Sequence, residues 1–199
     1  MLHPATAFVV LAVPAAFVFA GEARAERLPR PSVDYALSGR TAAGAVELVY
    51  GGGRMRLDVA LPGAPGVFTG YIDDQQGRVT VLLDIPGMRN RAVEVDLPDD
   101  YVFVNLPAEG ARIGRDTVAG EACDIWRAGS GGRTIDACIT ADGIVLRAQA
   151  SAGTAPQLVF EAKSVRRGPQ DPANLALPEG VKVRAMPPGV QNILPGLGR

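Results

Sequence analysis

Histidine is nearly absent from this sequence, since His3 is the only one among 199 residues. It lies in an N-terminal segment that we predict to be removed on export, so the mature chain would contain none. A Ser-His-Asp or Cys-His catalytic arrangement and a histidine-ligated zinc site are thereby excluded. We predict a protein that is not an enzyme and that has no metal and no cofactor.

A hydrophobic run long enough to span a membrane is also missing. The most apolar stretch, Ala5–Ala20, contains Pro14 and is shorter than the roughly 20 residues that a span requires. It is followed by Ala23–Ala25, an A-x-A cleavage motif. We therefore predict a signal peptide at residues 1–25, a periplasmic or secreted location, and a mature chain that does not span the membrane.

Positive and negative charges nearly balance: the sequence contains 20 lysines and arginines and 21 aspartates and glutamates, for a net charge of −1. No basic block stands out, so nucleic acid is not an expected partner. The segment after the signal is long enough for one domain with a hydrophobic core. We place this domain at residues 26–185 and predict a flexible tail, rich in proline and glycine, at residues 186–199.

Cysteine is scarce, and the two that occur, Cys123 and Cys138, are too few and too far apart for a four-sulfur metal site or a C-x-x-C motif. Residues 129–132 (GSGG) suit a turn, and a hairpin centred there places Cys123 opposite Cys138 and Trp126 opposite Ile135. Directly paired residues have Cβ atoms about 4.5–5.5 Å apart, close to the disulfide requirement. We predict a structural disulfide, with a redox-active pair or two free thiols as the alternatives.

Helical periodicity is rare, and apolar residues instead alternate with polar ones. Val46–Tyr50 and Arg54–Val59 alternate in this way and are joined by Gly51–Gly53, which predicts a hairpin. One apolar and one charged face is typical of antiparallel strands covered on one side. Residues 142–143 (DG) predict another tight turn, and the 24 glycines and 16 prolines leave little room for helix. Only residues 99–118 lack regularity, which suggests a short helix or a lid.

Five short segments occur in a suggestive order along the chain: Tyr35–Gly39, Gly53–Asp58, Gly120–Cys123, Thr140–Arg147 and Leu175–Gly180. In this order they resemble the LolA-like periplasmic superfamily, which includes outer-membrane lipoprotein carriers and exported relatives of unknown function. The resemblance implies a mainly β fold: a curved antiparallel sheet that forms an incompletely closed barrel with little helix. It also implies an apolar concave side, which in the carriers takes acyl chains. A clear amphipathic helix of the carrier type is lacking, so the exported relatives resemble this chain more closely.

Several strand residues are candidates for lining such a cavity. They are Leu48, Met55, Arg56, Leu57, Val81, Leu83, Val93, Val95, Trp126, Leu146 and Phe160. For the aliphatic and aromatic members, ordinary core packing is the alternative. Arg56 could correspond to the superfamily's strand arginine and hold a phosphate or carboxylate head group, or it could lie on a solvated strand face. Trp126 would either cap a ligand or pack beside the disulfide.

Three classes of function follow. The first is a non-enzymatic exported binding protein that shields a lipid, acyl chain or apolar peptide in a concave face, with a lipid or an acylated protein as partner. The second is a cell-envelope interaction or sensing protein without a small-molecule ligand. The third is an enzyme that works with carboxylates or arginine alone, without histidine.

Overall fold

The computed structural model describes residues 25–42, 44–60, 66–73, 78–83, 90–96, 106–130, 132–151, 153 and 155–185. Apart from Ala25, the predicted signal peptide lies outside these residues, as does the predicted tail at residues 186–199. The described residues form one sheet of thirteen strands and one short 3₁₀ helix. None of them belongs to a helix with the length and apolar character that a membrane crossing demands.

The strands follow one another closely along the chain. In chain order they are β1 (Glu26–Arg27), β2 (Tyr35–Thr41), β3 (Ala45–Gly51), β4 (Arg54–Ala60), β5 (Val67–Asp73), β6 (Arg78–Leu83), β7 (Arg91–Asp96), β8 (Glu109–Val118), β9 (Glu121–Ser130), β10 (Arg133–Ile139), β11 (Val145–Ser151), β12 (Pro156–Arg167) and β13 (Lys182–Ala185). The 3₁₀ helix spans Pro172–Leu175.

The order of strands in the sheet is β1-β8-β9-β10-β11-β12-β2-β3-β4-β5-β6-β7-β13. Neighbouring strands are antiparallel except β13, which runs parallel to β7. Within the described residues, β1 and β13 lie at opposite edges and do not pair with each other. The sheet is therefore curved but not closed into a barrel, and the predicted mainly β fold is confirmed.

Two predicted turns are confirmed by the backbone. Gly52 and Gly53 connect β3 to β4 with φ angles of 57° and 77°, values that side chains disfavour and that two-residue hairpin turns require. Between β10 and β11, the Thr140 amide donates to the Ile144 carbonyl (3.0 Å), and the Ile144 amide donates to Thr140 Oγ1 (2.9 Å). These bonds close the turn that contains Gly143.

One face of the sheet is apolar from β9 to β7, and we term it the apolar face. Cross-strand pairing sets Trp126 beside Ala137, Ala137 beside Ala148, and Ala148 beside Phe160. Across β2 to β7 the same face carries one paired row, made of Leu37, Leu48, Leu57, Gly70, Val81 and Val93. Because side chains alternate along a strand, the opposite face carries charged pairs such as Glu161 with Arg40.

The disulfide between Cys123 and Cys138 is present, with a Cα–Cα distance of 5.4 Å. The predicted register of its hairpin is wrong, however, since Cys138 pairs with Ile125 and Trp126 pairs with Ala137 instead of Ile135. The cysteines therefore meet diagonally across the ladder. Ser130 pairs with Arg133, which leaves a two-residue turn, the favoured length for a hairpin.

The expectation of a short helix or lid at residues 99–118 is wrong for its second half. Residues 99–105 lie outside the described residues, but Glu109–Val118 forms the ten-residue strand β8. Alternation is obscured in β8 because it carries charges on both faces and because its register shifts between Arg112 and Gly114. Such a shift inserts one extra residue and breaks the period of two.

Removing the disulfide should lower the stability of the fold. Its loop of 15 residues corresponds to about 3 kcal/mol of unfolding free energy in the chain-entropy model. We expect the Cys123→Ala/Cys138→Ala variant to unfold at a lower denaturant concentration than the oxidised protein. Reductant should lower the midpoint of the natural chain but not that of the variant. Equal midpoints for all samples would contradict a stabilising role.

Candidate functional site

An irregular segment, residues 28–34, crosses the apolar face before the chain enters β2, and we term it the strap. At its start, the Leu28 amide donates to the Ala108 carbonyl (3.0 Å), beside the two-residue β1. Further along, the Ser32 amide donates to the Asp142 carbonyl (3.0 Å) in the β10–β11 turn. Leu28 is only 2% exposed and packs on Trp126 of the apolar face. The strap is thus anchored at its start and in its middle, and at its end Asp34 accepts hydrogen bonds from the Gly168 amide (2.9 Å) and, through Oδ1, from the Gly52 amide (3.2 Å).

A cavity of about 60 Å³ lies where the strap meets the apolar face. Its lining residues are Leu28, Pro29, Arg30, Pro31, Tyr35, Leu37, Leu48, Tyr50, Met55, Leu106, Gly143, Val145 and Phe160. Arg30 is the one charged residue of the lining, and its guanidinium donates to the Leu106 carbonyl (3.4 Å). The rings of Tyr35 and Tyr50 stack with centroids 5.3 Å apart. This lining suits an apolar group, with hydrogen-bonding capacity at Arg30.

The backbone of the β10–β11 turn packs directly against the backbone of the strap. Gly143 has a φ of 86°, and a Cβ built on it would lie 2.1 Å from the carbonyl carbon and oxygen of Arg30. Any other residue at this position would be strained and would also displace the strap. Glycine is therefore required at position 143 for two reasons: the turn needs its positive φ, and the strap backbone leaves no space for a Cβ.

Arg167, the last residue of β12, holds this turn in place. Its guanidinium donates to both carboxylate oxygens of Glu121 (2.9 and 3.0 Å) and to the carboxylate of Asp142. Asp142 also accepts a hydrogen bond from Thr140 Oγ1. The hydrogen bond from Arg167 holds the pKa of Asp142 below its usual range. One guanidinium therefore connects the start of β9 to the turn that carries the strap.

A second ion pair is formed by residues that pair with the two cysteines. Asp116 is paired with Cys123 and Arg147 with Cys138 in the ladders, and the Arg147 guanidinium donates to Asp116 Oδ2. This hydrogen bond holds the pKa of Asp116 below its usual range. The two cysteines themselves are buried in the same core cluster as the cavity residues Leu37, Leu48 and Phe160.

The structure brings together only some of the predicted cavity residues. Leu48, Met55 and Phe160 line the cavity. Three other candidates, Leu57, Val81 and Leu146, are buried in the same core cluster without lining it, and Val93 packs against that cluster, half-buried. The side chains of Leu83 and Val95 lie outside the described part of the structure.

Arg56 is on the face opposite to Met55 and Leu57, as alternation requires, so it does not share a cavity with them. Its guanidinium binds Asp58 on its own strand (3.0 Å) and lies over the ring of Tyr71, 5.9 Å from the ring centroid. This placement corresponds to the solvated strand face. The alternative of a role in the cavity is not supported by its position.

Trp126 lies on the apolar face, in a cluster with Leu28, Ala137 and Ile139. The expectation that it packs beside the disulfide is wrong, because residues three positions apart on a strand, such as Cys123 and Trp126, point to opposite faces. The alternation of side chains along β9 was enough to predict that Cys123 and Trp126 point in opposite directions. Its indole remains close to the cavity, since Leu28 belongs to both groups.

The sequence interpretation missed the strap and most of the residues near it. Tyr35 and Leu37 occupy alternate positions along a strand, as the candidates do, so the same pattern was sufficient to identify them. Pro29 and Pro31 indicate an extended segment outside the regular strands but not which face it crosses. Within the described residues, histidine, cysteine and acidic side chains form no group of three suited to a metal ion.

No protein-family model and no curated protein matches the sequence significantly. Among solved structures, the fold is similar to PNGF-II, with a TM-score of 0.49 and 12% identity over 78% of this chain and 32% of that chain. It is also similar to MucB, with a TM-score of 0.46 and 10% identity over 80% of this chain and 64% of that chain. In the complex of Pseudomonas aeruginosa MucA and MucB, the TM-score is 0.44, the identity 11%, and the coverage 79% of this chain and 62% of that chain.

The chain thus spans about a third of the PNGF-II chain and less than two thirds of the MucB chains. The likeness is one of β-rich folds, and scores this low transfer neither a family nor a function. The resemblance to the LolA-like superfamily therefore stays a prediction.

Neutralising Asp142 should weaken the fold in a pH-dependent way. Its pKa in the folded state lies below the ordinary value of 3.8, so its contribution to stability is complete above that pH and is lost as the pH falls through the folded pKa. We expect Asp142→Asn to lose about 1 kcal/mol of unfolding free energy at pH 7. The difference from the natural chain should shrink below about pH 4.

Chemical denaturation at pH 7 and pH 3 measures both effects. Glu47→Gln is a matched control, because Glu47 is exposed and makes no ion pair within the described residues. A constant difference between Asp142→Asn and the natural chain at both pH values would contradict the interpretation.

Proposed function

We propose that this chain is an exported, non-enzymatic binding protein that shields a lipid, an acyl chain or an apolar peptide against the apolar face of its sheet. The observation that carries the proposal is the cavity under the strap, whose lining contains a single charged residue, Arg30. The disulfide supports an oxidising compartment, in agreement with the predicted signal peptide. A periplasmic or secreted location follows.

The size of the cavity makes movement of the strap part of the proposal. Pockets for small molecules measure about 300–1,000 Å³, whereas this cavity measures about 60 Å³. Asp34, at the end of the strap, is fixed by the Gly52 and Gly168 amides, but the part before it is held only by β1 and by hydrogen bonds of Leu28, Arg30 and Ser32 within the described residues. Releasing so few hydrogen bonds costs far less than unfolding the sheet. Its release would enlarge the cavity towards Val145 and Trp126.

Arg30 supports a ligand with an oxygen-bearing end. Its guanidinium is exposed and reaches the Leu106 carbonyl at 3.4 Å, a long and replaceable hydrogen bond. Guanidinium groups bind carboxylate and phosphate oxygens well, often with two bonds. An amphiphile could therefore place its chain against the sheet and its polar end at the rim.

A second candidate is an envelope interaction or sensing protein without a small-molecule ligand. It is favoured by the small cavity and by the outer edge of β8, where β1 pairs only with Glu109 and Gly110 within the described residues. Beyond them, Ile113 is 42% exposed. An extended partner segment could add to such an edge through main-chain hydrogen bonds.

Organic extraction separates the two candidates. Protein purified in its folded state from the compartment to which it is exported should release an acylated or otherwise apolar compound, detected by mass spectrometry. The same protein refolded after extraction in denaturant, and then re-extracted, serves as the blank. An extract no different from the blank would contradict lipid shielding and leave the partner-binding candidate.

Displacing the strap should change ligand binding. Gly143→Ala would drive a Cβ into the Arg30 backbone, whereas Gly120→Ala has a similar φ of 79° but no atom within 4 Å of its Cβ. Both variants carry the same backbone strain, and only the first moves the strap. We expect Gly143→Ala alone to red-shift the emission of Trp126, the single tryptophan, and to bind methyl octanoate several-fold more tightly.

Titration of methyl octanoate, followed by tryptophan emission, measures this difference, and Gly120→Ala accounts for any general loss of stability. Equal affinities and equal emission for the two variants would show that the strap does not control access.

A further inference from the structure

The indole N–H of Trp126 is buried and has no hydrogen-bond acceptor among the described residues. The residue as a whole is 6% exposed, so water does not reach the nitrogen. A buried tryptophan usually finds a partner for this group, and a buried donor left without one destabilises the fold. Among the described residues, Trp126 therefore lacks the acceptor that its indole N–H requires.

The surroundings explain why none of the described residues supplies an acceptor there. The side chains in contact with Trp126 belong to a cluster with Leu28, Ala137 and Ile139, to which Leu106 and Val145 add further apolar contacts. None of these side chains carries an oxygen or nitrogen. The indole is thus a polar group on an otherwise hydrocarbon surface.

The cavity is next to this group. Leu28, Leu106 and Val145 pack around the cluster of Trp126 and also line the cavity. Two of these three shared side chains belong to segments outside the regular strands. Leu28 is in the strap, and Leu106 lies before β8 and is half-buried. Movement of the strap would therefore open a path from the cavity to the indole.

We propose that the ligand presents a neutral acyl carbonyl, from an ester or an amide, whose oxygen accepts a hydrogen bond from Trp126 Nε1. This inference rests on the proposed function and specifies the chemistry of the ligand. An indole N–H only donates, so the ligand group must be an acceptor. An ionised carboxylate placed among Leu28, Ala137 and Ile139 would lose its hydration without a counter-charge, which disfavours it. The acyl chain then extends into the cavity along Leu48 and Phe160.

Nuclear magnetic resonance tests this directly, because the chain has one tryptophan and hence one indole N–H signal. We expect methyl octanoate and N-methyloctanamide to shift this signal downfield. Methyl octyl ether, in which a methylene replaces the carbonyl, should bind without that shift. A response to the ester alone would assign the carbonyl to a lipid-like ester, and a response to the amide alone to an N-acylated peptide.

The backbone amide signals of Leu48 and Phe160 report binding independently of the indole. If they move while the indole signal stays in place for both carbonyl compounds, the inference is wrong but the proposed function stands. If no signal moves with any compound, the proposed function is wrong as well.

A substitution gives a second test. The natural chain should bind the ester about five- to tenfold more tightly than the ether, as expected for one hydrogen bond. Trp126→Phe should bind the two about equally. Ile139→Val, in the same cluster but without a polar group, should weaken both alike and keep the preference. Retention of the preference by Trp126→Phe would overturn the inference. If that variant does not fold, the indole signal of the natural chain decides alone.

Discussion

The structure depends on one constraint: each strand of a single antiparallel sheet presents its apolar side chains to the same face, and that face must be kept from water. The described residues contain only one short helix, whose buried Leu175 lies beside Gly51 at the end of β3. The core cluster nevertheless joins residues from β2 through β12. Among the described residues, the curvature of the sheet and the strap across it therefore bury the apolar face. The cavity lies at the place where these two covers meet.

Electrostatic interactions in this fold fix positions more than they add stability. Ion pairs such as Arg40 with Glu161 lie on the charged face, where solvent leaves them worth little. Arg167 differs because one guanidinium binds two carboxylates from separate parts of the chain, Glu121 and Asp142. It sets the position of the β10–β11 turn, and through Gly143 the turn sets the position of the strap. Arg167, at the end of β12, thus helps to determine the shape of the cavity.

Period-two alternation was enough to predict the mainly β character and the hairpin at Gly51–Gly53, and the turn residues 129–132 midway between the two cysteines were enough to predict the disulfide. Alternation could not fix the register of β9 with β10, because a slip of two residues keeps every side chain on its own face. It failed for β8, where a bulge interrupts the period. It also could not find the strap, since an irregular segment has no period and only tertiary contacts show which surface it covers. The cavity was accordingly predicted in part, from the strand residues such as Leu48 alone.

The hairpin of β9 and β10 carries both the disulfide and Trp126. Its two cysteines belong to the main core cluster, whereas Trp126 belongs to a separate cluster with Leu28, Ala137 and Ile139. A register slip of two residues would preserve both faces, and hydrophobic burial alone would oppose it only weakly. Such a slip would nonetheless carry Trp126 away from Ala137 and from the strap residue Leu28. The covalent link between Cys123 and Cys138 forbids the slip that would move the two cysteines further apart, but it permits the slip that would pair them directly. The packing of Trp126 on Ala137 and Leu28 therefore acts together with the disulfide to set the position of the indole N–H, which has no acceptor among the described residues.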